Sequence, residues 1–99
     1  MKFFVGQQVQ HLRFNYRGVI FDADAEFSGS DEWYEQMAIT KPPKDNPWYH
    51  VLVHEAEHTT YVAERNLEAY PGKDFIDHPL LAGYFNGFDD GVYQPINRH

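Results

Sequence analysis

The sequence predicts a mainly β protein, a small five-stranded barrel with a short helical insertion and an aromatic-rich C-terminal tail. Residues 46–53 (NPWYHVLV) and 58–67 (HTTYVAERNL) carry most of this prediction. Both segments are rich in β-branched and aromatic residues, and a short acidic turn separates them. Residues 5–11 (VGQQVQH) and 16–24 (YRGVIFDAD) have the same character upstream. We therefore expect two consecutive hairpins.

The first hairpin is predicted from alternation and from its turn. Val9 and His11 alternate with polar residues, the period of two that is typical of a half-buried strand. Asn15 suits a positive φ in the connection, and Gly18 indicates a bulge or a close backbone approach. Residues 19–21 (VIF) then predict a central strand that contacts protein on both faces.

A short helix is predicted over residues 31–38, between the two hairpins. Ser30 can cap it, and the acidic residues 31 and 32 stand in the first turn, where the helix dipole favours negative charge. Pro42 and Pro43 end any helix. The apolar residues of the segment form one stripe that we expect to lie on the barrel: Trp33, Tyr34, Met37 and Ala38.

The second hairpin is predicted to begin after Pro47. Its first strand places Tyr49, Val51 and Val53 on one face and His50, Leu52 and His54 on the other. Residues 64–66 lack a strand pattern and predict a single 3₁₀-type turn before the last strand. Five short strands in this order are typical of an SH3-like barrel. The core is predicted to contain Val9, Val19 or Ile20, Val51, Val53, Tyr61 and Val62.

We expect one barrel domain over residues 1–70 and a C-terminal extension over residues 71–99. The extension holds many large apolar side chains among its glycines and prolines, too many for a disordered tail. It should therefore pack on its own barrel or on a neighbouring subunit. Phe85 and Phe88 are the predicted anchors of an oligomer interface, although the barrel could also provide the whole interface.

The net charge of the chain limits the classes of partner that it can bind. The chain of 99 residues has a formal net charge of −7, with eight Lys and Arg against fifteen Asp and Glu. Because cations on a protein supply most of its non-specific affinity for DNA, any DNA binding must be local. The candidate nucleic-acid-binding residues form no run, and ordinary solvated side chains explain them at least as well: Arg13, Arg17, Lys41 and Lys44.

The chain contains no cysteine, and no apolar run is long enough for a secretory signal or a membrane span. We expect a cytoplasmic protein. Nucleophile and phosphate-binding motifs are absent from the sequence, so we expect no enzyme, no catalytic residue and no cofactor.

Two groups of side chains have residue types that can bind metal ions. The alternating carboxylates of Asp22, Asp24 and Glu26 lack the glycine and the terminal Glu of a calcium loop. His50 and His54, four apart on one strand, would lie roughly 13 Å apart, too far to share an ion. His54 and His58 could approach across the turn, but histidines bonded within the sheet explain the pattern better. We expect no metal site.

Aromatic residues on either side of the helical insertion are the candidate partner-binding residues: Trp33, Tyr34, Trp48 and Tyr49. Rings beside such a loop can dock an extended peptide or stack on bases. Alternation along the strand also predicts that at least one ring of each pair belongs to the core.

Four separated motifs resemble one known family. Gly6-Gln7-x-Val9-x-His11 begins the pattern, and Tyr16-x-Gly18-Val19-Ile20-x-Asp22-x-Asp24 follows it. Residues 47–52 (PWYHVL) and 60–67 (TYVAERNL) complete it. Together, over roughly residues 3 to 70, they resemble the YccV-like family, also called the HspQ family or hemimethylated-DNA-binding domain. Two residues depart from the family pattern: Ala25 stands where a proline is common, and Asn15 stands where a glycine is common. Neither departure threatens the fold.

The resemblance implies a regulatory function rather than a catalytic one. Bacterial members are described as heat-shock proteins that act with the Lon protease on unstable or denatured proteins, including the replication initiator. They are also described as binding hemimethylated DNA and as forming small symmetric oligomers, trimers among them. An acidic barrel with surface rings favours the protease-adaptor function, because DNA binding requires a basic face. An oligomer could still cluster the four basic residues named above into a patch.

Overall fold

The computed structural model describes residues 1–96. Within these residues, seven strands, two short α-helices and one 3₁₀ turn follow each other: β1 (Gln8–His11), β2 (Arg17–Asp24), α1 (Asp31–Met37), β3 (Trp48–Val53), β4 (Thr59–Ala63), the 3₁₀ turn (Glu64–Asn66), β5 (Leu67–Ala69), α2 (Leu81–Tyr84), β6 (Phe85–Asp89) and β7 (Val92–Pro95). The mainly β prediction is confirmed, as are the five strands, the insertion helix and the 3₁₀ turn of the first 70 residues.

The five predicted strands form one antiparallel sheet in the order β4-β3-β2-β1-β5. Within residues 1–96 the two edge strands, β4 and β5, do not pair with each other. Closure into a barrel is therefore not observed, and the SH3-like assignment stays a prediction. Strands β6 and β7 form a separate two-stranded sheet that the sequence analysis did not predict.

Local signals placed the turns and the helix start correctly. Asn15 has φ 58°, the left-handed conformation predicted for it. A Cβ on Gly18 would meet the Leu52 carbonyl, which confirms a close backbone approach. The irregularity in strand pairing lies further along β2, between Ile20 and Asp22. Ser30 caps α1, because its Oγ accepts a hydrogen bond of 3.0 Å from the Trp33 N–H.

The predicted helical stripe is correct at Tyr34 and Ala38 but wrong at Met37. Tyr34 and Ala38 are buried against Trp48 and Ala63. Met37, the last residue of α1, is instead exposed. Its exposed side chain matters for the site described below.

Both faces of the sheet are covered. One cluster of buried side chains contains Phe3, Val9, Ile20, Tyr49, Val51, Val62 and Leu67. A second cluster, on the other face, joins Val19 and Leu52 to three residues of the C-terminal segment: Ile76, Phe85 and Tyr93. Residues 71–96 therefore pack on the sheet of their own chain, and residues 97–99 of the predicted extension lie outside the described residues.

The predicted core is confirmed except for one residue. Val9, Val19, Ile20, Val51, Val53 and Val62 are all buried. Tyr61 is only partly buried, because its hydroxyl reaches the Asp24 carboxylate at 2.7 Å near the surface. None of the helices in residues 1–96 has the length and apolarity needed to cross a membrane.

Candidate functional site

A pocket of about 520 Å³ opens beside the edge strand β4. All five residues of β4 line it. The opposite walls come from the β1–β2 turn and from the segment at the end of α1. Trp48 and His50 of β3 also line it, so segments that are far apart in the sequence build one site, which we name the β4 pocket.

A cluster of three rings, packed in tilted and edge-to-face pairs, forms part of the pocket wall. The Trp48 ring lies 5.3 Å from the Tyr61 ring and 6.1 Å from the Trp33 ring, measured between centroids. Trp33 and Tyr61 are 5.6 Å apart. Trp48 is fixed further by its indole N–H, which donates to the Pro43 carbonyl at 3.2 Å. Such a cluster gives the site a rigid aromatic wall.

The four predicted partner-binding rings do not form one exposed groove. Trp33 and Trp48 line the β4 pocket, but Trp48 is almost fully buried. Tyr34 is buried and donates to the Pro42 carbonyl at 2.6 Å. Tyr49 belongs to the first core cluster, on the far side of the β3 backbone from Trp48. Tyr34 and Tyr49 can therefore reach a partner only if the core opens.

Sequence reasoning missed the residues that form the rim of the pocket. Phe14, Met37 and Ile39 line it with exposed fractions of 57%, 59% and 64%. Large apolar side chains at two turns were the only signal in the sequence. Nothing in their spacing indicated that the fold would bring them together.

The carboxylate of Asp24 orients Tyr61 at the pocket. It accepts hydrogen bonds from Tyr61 Oη and Ser28 Oγ, both at 2.7 Å, and lies 3.2 Å from His50 Nε2. The Tyr61 hydrogen bond, with those from Ser28 and His50, outweighs burial and lowers the pKa of Asp24. Burial and the Asp24 carboxylate raise the pKa of Tyr61, so the phenol remains protonated.

His11 holds the β1–β2 turn in place. Its Nδ1 accepts hydrogen bonds from the backbone N–H groups of Arg13 at 3.1 Å and Phe14 at 3.0 Å. Burial, assisted by the charge of Arg13, lowers the pKa of His11 and favours the neutral ring that these bonds require. The turn is tied to β4 through Tyr16 and Thr60, whose hydroxyl oxygens are 2.7 Å apart.

The charge of the pocket differs from that of the whole chain. None of the fifteen Asp and Glu residues lines it. Arg13 lines it together with three histidines, His11, His50 and His58. Within residues 1–96 the Arg13 guanidinium makes no hydrogen bond or salt bridge, and its nearest described partner is the Phe14 ring at 5.8 Å. The pocket therefore offers a positive charge to an incoming group.

The other three predicted nucleic-acid-binding residues have partners inside the chain. Arg17 donates to Gln8 Oε1 at 2.7 Å and to the Phe75 carbonyl at 2.8 Å, which fastens the C-terminal segment to the sheet. Lys41 donates to the Glu35 carbonyl at 2.8 Å. Lys44 pairs with Asp31 at 3.1 Å. The structure thus uses these cations in three different local contacts.

The two predicted interface residues differ in exposure. Phe85 is only 5% exposed and belongs to the second core cluster, so an interface anchored on it would require β6 to move away from the five-stranded sheet. Phe88 is half-buried and packs against Phe75, with ring centroids 4.8 Å apart. Phe75 itself is 70% exposed. Among residues 1–96, no three His, Asp or Glu side chains lie close enough together to hold a metal ion.

Comparison with known families gives a match to most of the chain. The family model described as "Hemimethylated DNA-binding protein YccV like" matches residues 1–92. The match extends well past residue 70, where we expected the resemblance to end, and it includes β6 and the start of β7. The C-terminal hairpin is therefore part of the matched region, in agreement with its packing on the sheet. Since the match covers nearly the whole chain, this protein belongs to the YccV-like family.

Proposed function

We propose that this chain is a non-catalytic regulatory protein, similar to the heat-shock protein HspQ. It modulates the degradation of unstable or denatured proteins, including the replication initiator, together with an ATP-dependent protease such as Lon. The observation that supports this function is the β4 pocket, an apolar cavity beside an unpaired sheet edge. Denatured proteins expose the extended backbone and the apolar side chains that such a cavity can accept.

The rim strengthens the argument for a protein partner. Phe14, Met37 and Ile39 expose large apolar surface around one cavity, and contiguous apolar surface on a folded domain marks an interaction site. Aliphatic and thioether side chains adapt to varied apolar groups, which suits a protein that handles many clients.

Degradation of an unfolded model substrate by purified Lon, with and without the full chain, tests the proposal. We expect the chain to change the initial rate, and the variant Met37→Ser/Ile39→Ser to lose most of that effect. Phe4→Ser is the matched control, since Phe4 is also an exposed apolar residue and does not line the pocket. An unchanged rate with the full chain would reject the protease function.

DNA recognition is the second candidate, and the family description supports it. The positions of Arg17, Lys41 and Lys44 in separate internal contacts argue against a broad basic face on one copy. Titration of hemimethylated and fully methylated duplexes at two salt concentrations tests it. A preference for the hemimethylated duplex with a steep salt dependence would favour this function over the protease function.

We propose further that the chain acts in the cytoplasm and that its five-stranded sheet is a barrel of the SH3-like type. We also propose that it forms small symmetric oligomers such as trimers. The exposed Phe75 and its neighbour Phe88 provide apolar surface for such an interface. Sedimentation equilibrium at tens of micromolar tests the assembly, and Phe75→Ser should shift the equilibrium toward monomer. A full-length monomer under these conditions would contradict it.

A further inference from the structure

The outer edge of β4 carries backbone groups that no described residue uses. Glu64 N–H bonds to the Pro47 carbonyl at 3.0 Å, and Val62 faces Tyr49 across the same strand pair. Hydrogen bonding alternates along an antiparallel strand, so the backbone groups of Thr59, Tyr61 and Ala63 point away from β3. Within residues 1–96 the outward N–H and C=O groups of Thr59 and Tyr61 have no partner, whereas the Ala63 carbonyl, as the N-cap of the 3₁₀ turn, accepts a hydrogen bond from that turn.

This edge is unusually open for a protein strand. Exposed edges are commonly protected by charged side chains, proline or a covering loop, because they pair readily with another extended chain. β4 has the sequence TTYVA, with no charge and no proline. All five residues line the β4 pocket, so the unpaired edge and the apolar cavity form one continuous surface.

We propose that the β4 pocket binds an extended acidic peptide, which adds to the edge of β4 as a further strand. Its backbone pairs with Thr59 and Tyr61, and an apolar side chain enters the cavity between Met37 and Trp33. A carboxylate further along the same peptide strand pairs with Arg13. This inference rests on the proposed function and specifies which segments of a client protein the chain recognises.

Charge complementarity favours the acidic peptide. The pocket contains the Arg13 guanidinium, which has no anionic partner within residues 1–96, and no carboxylate lines it; the Asp24 carboxylate behind Tyr61 is already engaged by Tyr61, Ser28 and His50. A basic peptide would bring a second cation next to Arg13 while gaining no anion in the pocket. The rest of the surface carries the chain's excess of negative charge and would repel a polyanion such as a DNA duplex more strongly than a peptide with two carboxylates.

The test uses the full chain and labelled peptides of about eight residues. In the first peptide, Leu alternates with Asp and Thr. The second peptide has Lys in place of each Asp. The third has the sequence of the first, with alternate backbone nitrogens methylated. Fluorescence anisotropy measures each affinity. We expect saturable binding of the first peptide only, because methylation removes the N–H donors that strand addition requires.

The variants Arg13→Gln and Lys73→Gln separate the pocket from general electrostatics. Both remove one positive charge, but Lys73 pairs with Asp90 on the C-terminal hairpin and does not line the pocket. We expect Arg13→Gln to weaken binding of the acidic peptide about fivefold, the size of a partly exposed ion pair, and Lys73→Gln to leave it nearly unchanged. Equal affinity for the methylated peptide or the Lys peptide would overturn the proposal. So would a hemimethylated duplex that binds in an Arg13-dependent manner while no peptide binds.

The degradation assay distinguishes this inference from the function on which it rests. If the full chain changes degradation by Lon but none of the peptides binds, strand addition at β4 is rejected and the protease function stands. If the acidic peptide binds as described and degradation is unaffected, the pocket assignment stands and the protease function fails.

Discussion

The Tyr49 phenol donates a hydrogen bond of 2.5 Å to the carboxylate of Glu64. The same carboxylate oxygen accepts the Lys2 backbone N–H at 2.9 Å, and the phenol oxygen accepts the Phe3 N–H at 3.2 Å. Burial, reinforced by Glu64, raises the pKa of Tyr49 to about 12. For Glu64, the hydrogen bonds from Tyr49 and Lys2 outweigh burial and lower the pKa. This pair therefore joins the N-terminus to β3 and to the 3₁₀ turn.

Removing the Tyr49 hydroxyl should destabilise the protein. Tyr49→Phe keeps the buried ring and deletes the donor to Glu64, so we expect it to lower the free energy of unfolding by about 1–2 kcal/mol. Urea denaturation measures the change. Tyr84→Phe is the control, because Tyr84 is partly exposed and its hydroxyl has no hydrogen bond within residues 1–96. Equal stability of the two variants would show that the Tyr49–Glu64 bond contributes nothing.

Acid should destabilise the fold through His11. The pKa of His11 is lowered from 6.5 in the folded protein, so the unfolded chain binds this proton more readily. Its contribution to stability is complete above pH 6.5 and is lost as the pH falls through the lowered pKa. We expect His11→Asn to flatten this dependence, because an Asn side chain can accept the same backbone N–H groups without titrating. Urea denaturation across this pH range gives the slope, and an equally steep slope in the variant would assign it to other groups.

Gly6→Ala should be strongly destabilising. Gly6 has φ 98°, and an added Cβ would collide with the Tyr93 carbonyl on the C-terminal hairpin. We expect a loss of about 2 kcal/mol or more, since both the backbone conformation and the hairpin contact must change. Gly83→Ala is the matched control, because a Cβ there meets no atom within 4 Å and α2 should gain slightly. Thermal melts of both variants give the comparison, and similar melting temperatures would contradict the collision.

The second core cluster should contribute as much to the stability of the fold as the first. Leu52 is fully buried under the C-terminal segment, and Leu52→Ala should cost about 2–4 kcal/mol. Leu12→Ala, at an exposed leucine, should cost little.

For the same reason a chain ending at Tyr70 should lose cooperative unfolding, because it leaves the Leu52 face uncovered. A shortened chain as stable as the full protein would show that the hairpin contributes no core.

Several features could be predicted from the sequence because they depend on neighbouring residues. The alternation around Val9 predicts a half-buried strand, Asn15 predicts a turn with positive φ, and Ser30 predicts a helix cap. The break at residues 64–66 predicts the 3₁₀ turn. Each signal operates over a few residues, so the local sequence is enough to reveal it.

Burial on both faces of the sheet was decided by the tertiary structure alone. The alternation in β3 distinguishes the Tyr49 face from the Leu52 face, but it does not show that the C-terminal hairpin covers the latter. Phe85 is also buried by packing on Val19 and Leu52, which are distant in the sequence, although its aromatic character alone had suggested a place at an interface.

The sequence by itself thus determined the five strands, the turns and the capped helix of the first 70 residues, and the family, because those depend on local periodicity and on motifs. Only the tertiary structure decided where the site lies. Phe14, Ile39 and Tyr61 belong to separate segments, and each looks ordinary in its own stretch of sequence. They become one pocket because the sheet order leaves β4 at an edge, between the β1–β2 turn and the end of α1.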